Sequence, residues 1–401
     1  MKNRLFLAYD NSCGVKLEVA VSRAVKEGGF SFCCGQADMG PDGYPQKKYD
    51  LKSQTAVSVK LMEDVFERIG TPMEKLVRVQ VHYINDGKFT EKEYAEYFRS
   101  LLPDQSNPLL IFTPLPKLFY DGLCVEIDGI ACVDSGNKKM DTGKNVICES
   151  IKAGNLIFSL YKSTKKGTPL KEQIRDQFEQ LDKMMEDLSV DQKNVLKIYT
   201  YYSASDRLAA LKDIVSIRND FYSDAIPPCS DVPVAAFNSE IQGEEFRLEV
   251  VLAEDVSTVR RFKSSELPGA CQLPHSKSMD LARETDRLIF FATQHPYSQD
   301  GELLYPGNIE KQTVHCMDAL KKGLAFFDSS FEDMMKMTTF YKGDEDDFHK
   351  NLSIRNSYLR SPGAASTGVP LDQFTYPEQL IQVEGIACIK REGLEIIDLA
   401  D

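Results

Sequence analysis

The sequence predicts an α+β fold built from three tandem copies of one unit of roughly 120–140 residues. Repetition is the first observation that predicts it. The tetrapeptide Gly-Ile-Ala-Cys occurs at 129–132 and again at 385–388, and Ser-Ile-Arg-Asn occurs at 216–219 and at 353–356. Each Gly-Ile-Ala-Cys closes a run of alternating apolar and polar residues, which is typical of a half-buried strand.

Near-constant spacing is the second observation. Three β-like runs, at 75–81, 194–200 and 333–339, each precede a second β-like run that ends at or near the Gly-Ile-Ala-Cys position. The intervals are 51 residues from Arg78 to Gly129, 53 from Lys197 to Val250 and 49 from Lys336 to Gly385. Three similar intervals indicate one repeated unit, in keeping with the domain number expected for this length.

Within each copy the residue pattern predicts the same order of elements. A buried strand is followed by a helix with apolar residues at three- and four-residue spacing, then by a strand, a second helix and two closing strands. This order favours two helices covering one face of a mixed sheet. The apolar helix positions are Val57, Leu61, Val65 and Ile69; Ile174, Phe178, Leu181, Met185 and Leu188; and Val314, Met317, Leu320, Leu324 and Phe327. The middle strands are expected near 75–84, 194–202 and 333–341, and the second helices near 90–101, 206–223 and 346–359.

Charge and hydropathy exclude several classes of function. The 401-residue chain has 48 Lys and Arg against 61 Asp and Glu, a formal net charge of −13. Nucleic acids and anionic membranes both attract basic surfaces, so we expect no nucleic-acid partner and no membrane partner. A membrane span needs about eighteen consecutive apolar residues, and no segment is that long. Asp10 interrupts the apolar run at the start of the chain, which is therefore too short for the core of a signal peptide. We expect a cytoplasmic protein with reduced cysteines.

The ten cysteines and five histidines form no familiar ligand pattern. No CxxC, HExxH, phosphate-binding loop, GxGxxG or GxSxG motif is present. We therefore expect neither a metal nor a cofactor. The cysteines, including the vicinal pair Cys33 and Cys34, are interpreted as small buried hydrophobic residues.

Two segments resemble a known family. Cys34–Gln36 with the turn at 40–43 resembles the SGQ-plus-turn motif of the RidA/YjgF family, whose members are endoribonuclease L-PSP-like proteins. The run Leu-Pro-Lys at 115–117, followed by 123–131, is similar to that family's LPK…VEIEAIA ending. The resemblance is strong in the first and third copies and weaker in the second.

The resemblance implies an architecture. Family members are usually homotrimers of single domains of the chorismate mutase-like type. One chain with three copies is therefore similar to an intramolecular pseudo-trimer, with a central β-barrel and outer helices. The expected copies are residues 1–135, 136–256 and 257–401, the second being divergent, and the chain is expected to be monomeric.

The resemblance also implies where ligands bind. In this family an Arg in the cleft between adjacent domains holds the carboxylate of an imine or enamine acid, which suits a planar guanidinium. A Glu on the last strand orients water, and the SGQ backbone completes the pocket. Carried over one position at a time, the Arg position falls on Asn107, on Cys229 and on Ser366 or Thr367, none of them Arg. The Glu position falls on Glu126, Arg247 and Gln382. The SGQ position includes Gly35 and Gln36, then Tyr161 and Lys162, then Thr293.

Each candidate has two interpretations. Glu126, with Gln382 at the matching position, is a catalytic candidate, although charged residues on alternating strands usually face solvent. Arg247 either binds an anionic ligand or pairs with Glu244 or Glu245. Ser366 and Thr367 either donate to a carboxylate or form an ordinary turn.

Three functions follow from these candidates. The first is a hydrolase, deaminase-like or lyase-like enzyme acting on a small anionic metabolite, an imine, enamine or related compound. A chorismate-hydrolysing enzyme is a variant of it, which Gln382 weakens because a carboxylate is expected on the last strand of the terminal domain. The second is a non-catalytic small-ligand-binding or regulatory protein. The third, a ribonuclease, is disfavoured by the net charge.

Overall fold

The structure is a computed structural model, which describes residues 3–9, 19–133, 138–139, 148–165, 167–224, 226–255, 259–266, 279–285 and 288–399. The domain boundaries predicted after residues 135 and 256 lie outside these ranges. The helices are Leu51–Arg68 (α1), Glu91–Ser100 (α2), Leu170–Leu188 (α3), Arg207–Phe221 (α4), Ile309–Phe326 (α5) and Glu345–Tyr358 (α6).

The strands alternate with these helices along the chain. Before α3 they are Asn3–Ala8 (β1), Ser22–Glu27 (β2), Phe30–Cys33 (β3), Leu76–Ile84 (β4), Leu109–Leu115 (β5), Val125–Cys132 (β6), Lys138–Lys139 (β7), Cys148–Ala153 (β8) and Leu156–Lys162 (β9). After α3 they are Val195–Tyr202 (β10), Cys229–Pro233 (β11), Phe246–Ala253 (β12), Arg260–Lys263 (β13), Asp280–Thr285 (β14), Leu288–Phe291 (β15), Met334–Tyr341 (β16), Ala365–Pro370 (β17), Ile381–Cys388 (β18) and Glu395–Leu399 (β19).

One pairing pattern occurs three times. The order β2-β3-β6-β4-β5 recurs as β8-β9-β12-β10-β11 and as β14-β15-β18-β16-β17. In each, the middle strand is antiparallel to the last strand and parallel to the strand that follows the second helix. We call these the first, second and third units. The predicted α+β class and element order are confirmed.

Capping residues define where the helices begin. The side chain of Asp50 accepts from the Ser53 amide at the start of α1, and Thr90 with Glu93 forms a capping box at α2. Such caps satisfy amides that lack a partner in the first turn. The predicted apolar stripes are largely buried, but Val314 is 39% exposed. Thr313 is buried beside it, whereas Met317 and Leu320 are buried as predicted.

Close packing explains the glycine of the repeated tetrapeptide. A Cβ atom at Gly385 would lie 2.2 Å from the Met334 Cε and 3.0 Å from the Lys336 carbonyl oxygen. At Gly129 it would lie 3.2 Å from the Met62 Sδ and from the Phe66 ring. A side chain at either position would therefore require its neighbours to move, and the demand is larger at Gly385.

The strands form two open sheets. The first and third units share one sheet, in which β2 and β17 meet in parallel at Ser22 and Ala365, whereas the second unit has a sheet of its own. The described strands do not close into the predicted central β-barrel. The second unit instead meets its neighbours through packed side chains and a few backbone hydrogen bonds, including Ala235 to Pro114 and Asp280 to Ile226. None of the described helices is long and apolar enough to span a membrane.

Candidate functional site

Six charged side chains form a buried ring between the three units. Each middle strand supplies a cation and each last strand supplies a carboxylate. Every cation pairs with the carboxylate of another unit, so that three pairs close a circle. We call this the ion-pair ring; its pairs are Arg78–Glu249 (2.9 Å from the second guanidinium nitrogen), Lys197–Glu384 (3.2 Å) and Lys336–Asp128 (3.0 Å).

The ring encloses a cavity of only about 30 Å³. His82 lines it, both ring nitrogens lack hydrogen-bond partners among the described residues, and burial lowers its pKa to about 4. A cavity of this size holds about one water molecule and excludes a metabolite. Two residues that were predicted to bind ligand contact the carboxylates of the ion-pair ring: Thr367 donates to Asp128 (2.8 Å), and Thr293 donates to Glu384 (3.3 Å).

Three junctions surround the ring, one at each unit boundary. At the first junction, Gly35 of the first unit donates its backbone N–H to Ser366 of the third unit (3.4 Å). At the second junction, Thr293 of the third unit donates in the same way to Cys229 of the second unit (2.9 Å). At the third junction, Arg247 of the second unit donates to the carbonyl of Phe112 in the first unit (3.3 Å).

The second junction is closed by internal pairs. Gln382 is buried and donates to the backbone carbonyl of Asp231 (3.4 Å). The Asp231 carboxylate accepts two hydrogen bonds from Arg218, at 2.8 and 3.1 Å, and one from Thr200 at 2.6 Å. Burial alone would raise the pKa of Asp231, but Arg218 and the hydrogen bonds outweigh it and hold the pKa below its ordinary value.

The third junction contains paired charges. Arg247 is buried and contacts Glu91 at 2.8 Å and Glu244 at 2.6 Å. The contact with Glu244 is one of the two ion pairs predicted for Arg247, but it lies in the protein interior. A cavity of about 490 Å³ lies beside it. Two of the three cations that line it are engaged as well, since Lys162 contacts Glu91 (2.9 Å) and Arg99 contacts Glu149 (3.4 Å), and the third is Lys92. The Nε atom of Arg247 is buried without a hydrogen-bond partner among the described residues, but the charge of its guanidinium is compensated by two carboxylates.

The first junction contains an unpaired carboxyl group. Glu126 lies on β6 opposite His82, is partly exposed, and has no hydrogen-bond partner among the described residues. Burial, followed by the nearby charges of Asp128 and Cys34, raises its pKa to about 8. Its Oε1 atom occupies the space beside Gly35, where a Cβ atom would lie 1.8 Å from it. Glu126 therefore holds a proton at neutral pH.

The first junction also contains an unpaired guanidinium. Arg355, on α6, is 2% exposed; among the described residues its hydrogen-bond partners are neutral, since it donates to Asn351 (3.0 Å) and Ser366 (3.4 Å). Burial lowers its pKa to about 10, since no carboxylate among the described residues compensates it. The Oγ1 atom of the nearby strand residue Thr339 is buried without a partner. Buried polar groups rarely lack partners, so this pair is typical of a site for an anion.

Aromatic side chains connect these groups. The Tyr341 ring lies 5.3 Å from that of Phe348 and 6.2 Å from that of Phe119, and the last two are 4.4 Å apart. Burial raises the pKa of Tyr341, Glu126 raises it further and Arg355 lowers it. Tyr341 thus lies within electrostatic reach of both the acid and the cation, and the aromatic surface suits a flat, unsaturated molecule.

The remaining predicted residues lie elsewhere. Asn107 is exposed, precedes β5 and accepts from Arg99 (2.7 Å). Strand register places Leu110, and not Asn107, at the position of Cys229 and Ser366. Gln36 remains near the first junction, where its amide nitrogen contacts the Cys34 carbonyl and sulfur. Arg355 was not identified from the sequence as a candidate site residue, although it lies in the repeated Ser-Ile-Arg-Asn motif. In both copies of the motif the residue 13 positions after the Arg lies on the strand that follows the second helix, and this residue is Asp231 in the second unit and Gly368 in the third. The missing acid at Gly368 was the available signal.

Two matched substitutions test the different states of these arginines. Arg218→Met is expected to lower the free energy of unfolding by about 3–5 kcal/mol, because Asp231 would remain buried and unpaired. Arg355→Met is expected to leave it unchanged or raise it by about 1–2 kcal/mol, because a buried charge without a counter-ion is removed. Urea unfolding at neutral pH measures both. Equal losses in the two variants would contradict the assignment of Arg355 as unpaired.

Comparisons with known proteins agree with this fold. The family model described as Endoribonuclease L-PSP matches residues 274–389, within the third unit. RutC family proteins of Pyrococcus abyssi and Pyrococcus horikoshii are each 30% identical over 112 residues, which are 27% of this chain and 84% of each relative. The chain therefore belongs to this family, RidA/YjgF.

A solved structure extends the likeness over more of the chain. The fold is similar to that of a chorismatase, with a TM-score of 0.54 over 80% of this chain and 96% of that protein. The two sequences are only 10% identical over this region. This likeness therefore concerns the fold alone.

Proposed function

We propose that this chain is an enzyme that hydrolyses a small unsaturated acid, an imine, an enamine or a related anionic metabolite, at the first junction. One observation carries the proposal: the protonated, unpaired carboxyl group of Glu126 and the guanidinium of Arg355, which has no counter-ion among the described residues, both lie within electrostatic reach of Tyr341. The second and third junctions offer no such pair among the described residues. The first junction then acts as an inter-domain cleft.

Glu126 serves as a general acid in this proposal. For an enamine acid it donates its proton to the β-carbon, so a C–H bond forms as the C=C electrons move to make an iminium. Water then adds to the iminium carbon and returns a proton to Glu126. The amine leaves as the carbonyl forms, so a 2-oxo acid and ammonia are released. Arg355 holds the substrate's negative charge during these steps.

A related substrate class is an enol ether of a small acid, such as chorismate. The same proton transfer to carbon would begin its hydrolysis, and the fold likeness to a chorismatase supports including it. A carboxylate was expected on the last strand of the terminal domain, where Gln382 lies. Glu126 supplies the acid from the first unit instead.

The ion-pair ring supports the proposed architecture. Cations at Arg78, Lys197 and Lys336 each meet the carboxylate of another unit, as expected if three like domains surround one pseudo-threefold axis. We therefore retain the three domains 1–135, 136–256 and 257–401 and a monomeric pseudo-trimer as proposals. In a homotrimer the three interfaces between subunits are identical. In one chain with three unlike domains the three junctions can differ, so that one junction can be active while the other two junctions are closed.

A direct assay tests the proposed function. The full chain is incubated at neutral pH with 2-aminoacrylate generated in situ and, separately, with chorismate, and the release of 2-oxo acid or ammonia is compared with buffer alone. Faster release of either product supports the proposal. If neither substrate is consumed faster but one of them raises the melting temperature, the non-catalytic binding function replaces it. If neither effect occurs, hydrolysis of this substrate class is excluded.

A further inference from the structure

The second and third units place different residues at one equivalent position. In the second unit Thr200 pairs in register with Asp231, and in the third unit Thr339 pairs with Gly368. In both units the motif arginine lies 13 residues earlier, on the second helix, at Arg218 and Arg355. At this register position the two sites therefore differ by a carboxylate in the second unit against a hydrogen atom in the third.

In the second unit that carboxylate is fully engaged. Asp231 receives both terminal guanidinium nitrogens of Arg218, at 2.8 and 3.1 Å, and the Thr200 hydroxyl at 2.6 Å. All three residues are buried. A bidentate guanidinium contact together with a hydroxyl donor is an arrangement that binds a carboxylate well.

In the third unit the equivalent arginine and threonine have no carboxylate acceptor among the described residues, and Arg355 donates to the neutral side chains of Asn351 (3.0 Å) and Ser366 (3.4 Å). Thr339 is buried with its hydroxyl unpaired, and Arg355 contacts no carboxylate among the described residues. A Cβ atom at Gly368 would lie 3.6 Å from Tyr341 and 3.8 Å from Phe348, which are ordinary contact distances, so the packing at this position does not exclude a side chain. The arginine and the threonine of the second unit therefore recur at matching positions of the third unit without the carboxylate.

We infer that Asp231 is a built-in substitute for a ligand carboxylate, and that a ligand's carboxylate binds beside Gly368 to Arg355 and Thr339. The second junction is thus occupied permanently by the protein's own side chain. The inference deepens the proposed function, because it rests on the same junction and specifies how the acid is held there. It also means that the residue at position 231 or 368 determines whether its junction can bind a ligand carboxylate: an Asp occupies the donors, and a Gly leaves them available.

Reciprocal substitutions test it, with pyruvate as the probe in calorimetric titration of the full chain. Wild type is expected to bind pyruvate at one site. Gly368→Asp is expected to weaken that binding by about 100-fold or more, because the new carboxylate occupies the donors. The same variant is expected to melt at a higher temperature, which also shows that it folds. Gly368→Asn, of matching size but uncharged, is the control and is expected to give a smaller rise in melting temperature.

Asp231→Gly is expected to melt at a lower temperature than wild type, to regain stability with pyruvate, and to bind pyruvate at two sites. The inference is overturned if wild type binds no pyruvate, if Gly368→Asp binds it as wild type does, or if Asp231→Gly gains no site. Its failure is distinguishable from that of the proposed function. Pyruvate binding that responds to these substitutions without any hydrolysis contradicts only the enzyme, whereas hydrolysis that Gly368→Asp leaves intact contradicts only the inference.

Discussion

Replacing Glu126 by Gln is expected to reduce hydrolysis of the unsaturated acid by about 100- to 10,000-fold, the range typical of a lost general acid. The substitution retains the size of the side chain and removes only its transferable proton. Steady-state rates with 2-aminoacrylate measure the effect. Asp104→Asn, an exposed residue in the loop before β5, is the matched control and should retain the wild-type rate.

The pH dependence provides an independent check. Because burial raises the pKa of Glu126 to about 8, the group is protonated at neutral pH and becomes ionised as pH rises through 8. A general acid must be protonated, so the wild-type rate is expected to fall above pH 8. A rate that instead rises between pH 7 and 9, or a Glu126→Gln variant with the wild-type profile, would contradict the role.

The same group is expected to make stability depend on pH. Its folded pKa of about 8 exceeds the ordinary value of 4.5, so the folded state binds more protons between these limits, and stability falls as pH rises from 4.5 to 8. Glu126→Gln removes this loss. The variant is expected to exceed wild type by about 2–3 kcal/mol at pH 9, a figure reduced for the partial exposure of the side chain, and to match it at pH 4.

Replacing Glu249 by Gln is expected to lower the free energy of unfolding by about 3–5 kcal/mol, because Arg78 would be left buried without a counter-ion. Glu249 accepts from Arg78 (2.9 Å) and from Tyr201 (2.8 Å), and it is fully buried. Urea unfolding at pH 7 measures the loss. Because the pair joins the first and second units, its removal also weakens their contact.

An exposed ion pair serves as the control. Arg360 and Glu332 lie 3.1 Å apart, but their side chains are 82% and 52% exposed. Glu332→Gln is expected to change stability by less than about 1 kcal/mol, because water and salt screen such a pair. A loss in Glu249→Gln as small as that of Glu332→Gln would contradict a structural role for the ion-pair ring.

The sequence by itself determined the class and the order of elements. Hydrophobic spacing of 3.6 and 2 residues depends on which face of an element is buried, so it predicted the helices and middle strands to within a few residues. Intervals between Arg78 and Gly129 and between Lys336 and Gly385 revealed the repeat for the same reason. The hydrophobic spacing is a local property of the chain, and the repeat is found by comparing such local patterns along it, so neither requires knowledge of the tertiary structure.

The tertiary structure alone decided which junction has the unpaired groups. Glu126 was identified from the sequence, but Arg355 was not, since its difference from Arg218 depends on whether residue 368 or 231 across the sheet carries a carboxylate. Thr367 was predicted to bind ligand and lies by the ring instead. Charge compensation acts over a few ångströms between segments far apart along the chain, so the composition of either segment does not specify it. Only the strand register brings Asp231 to Arg218 and leaves Arg355 beside a glycine.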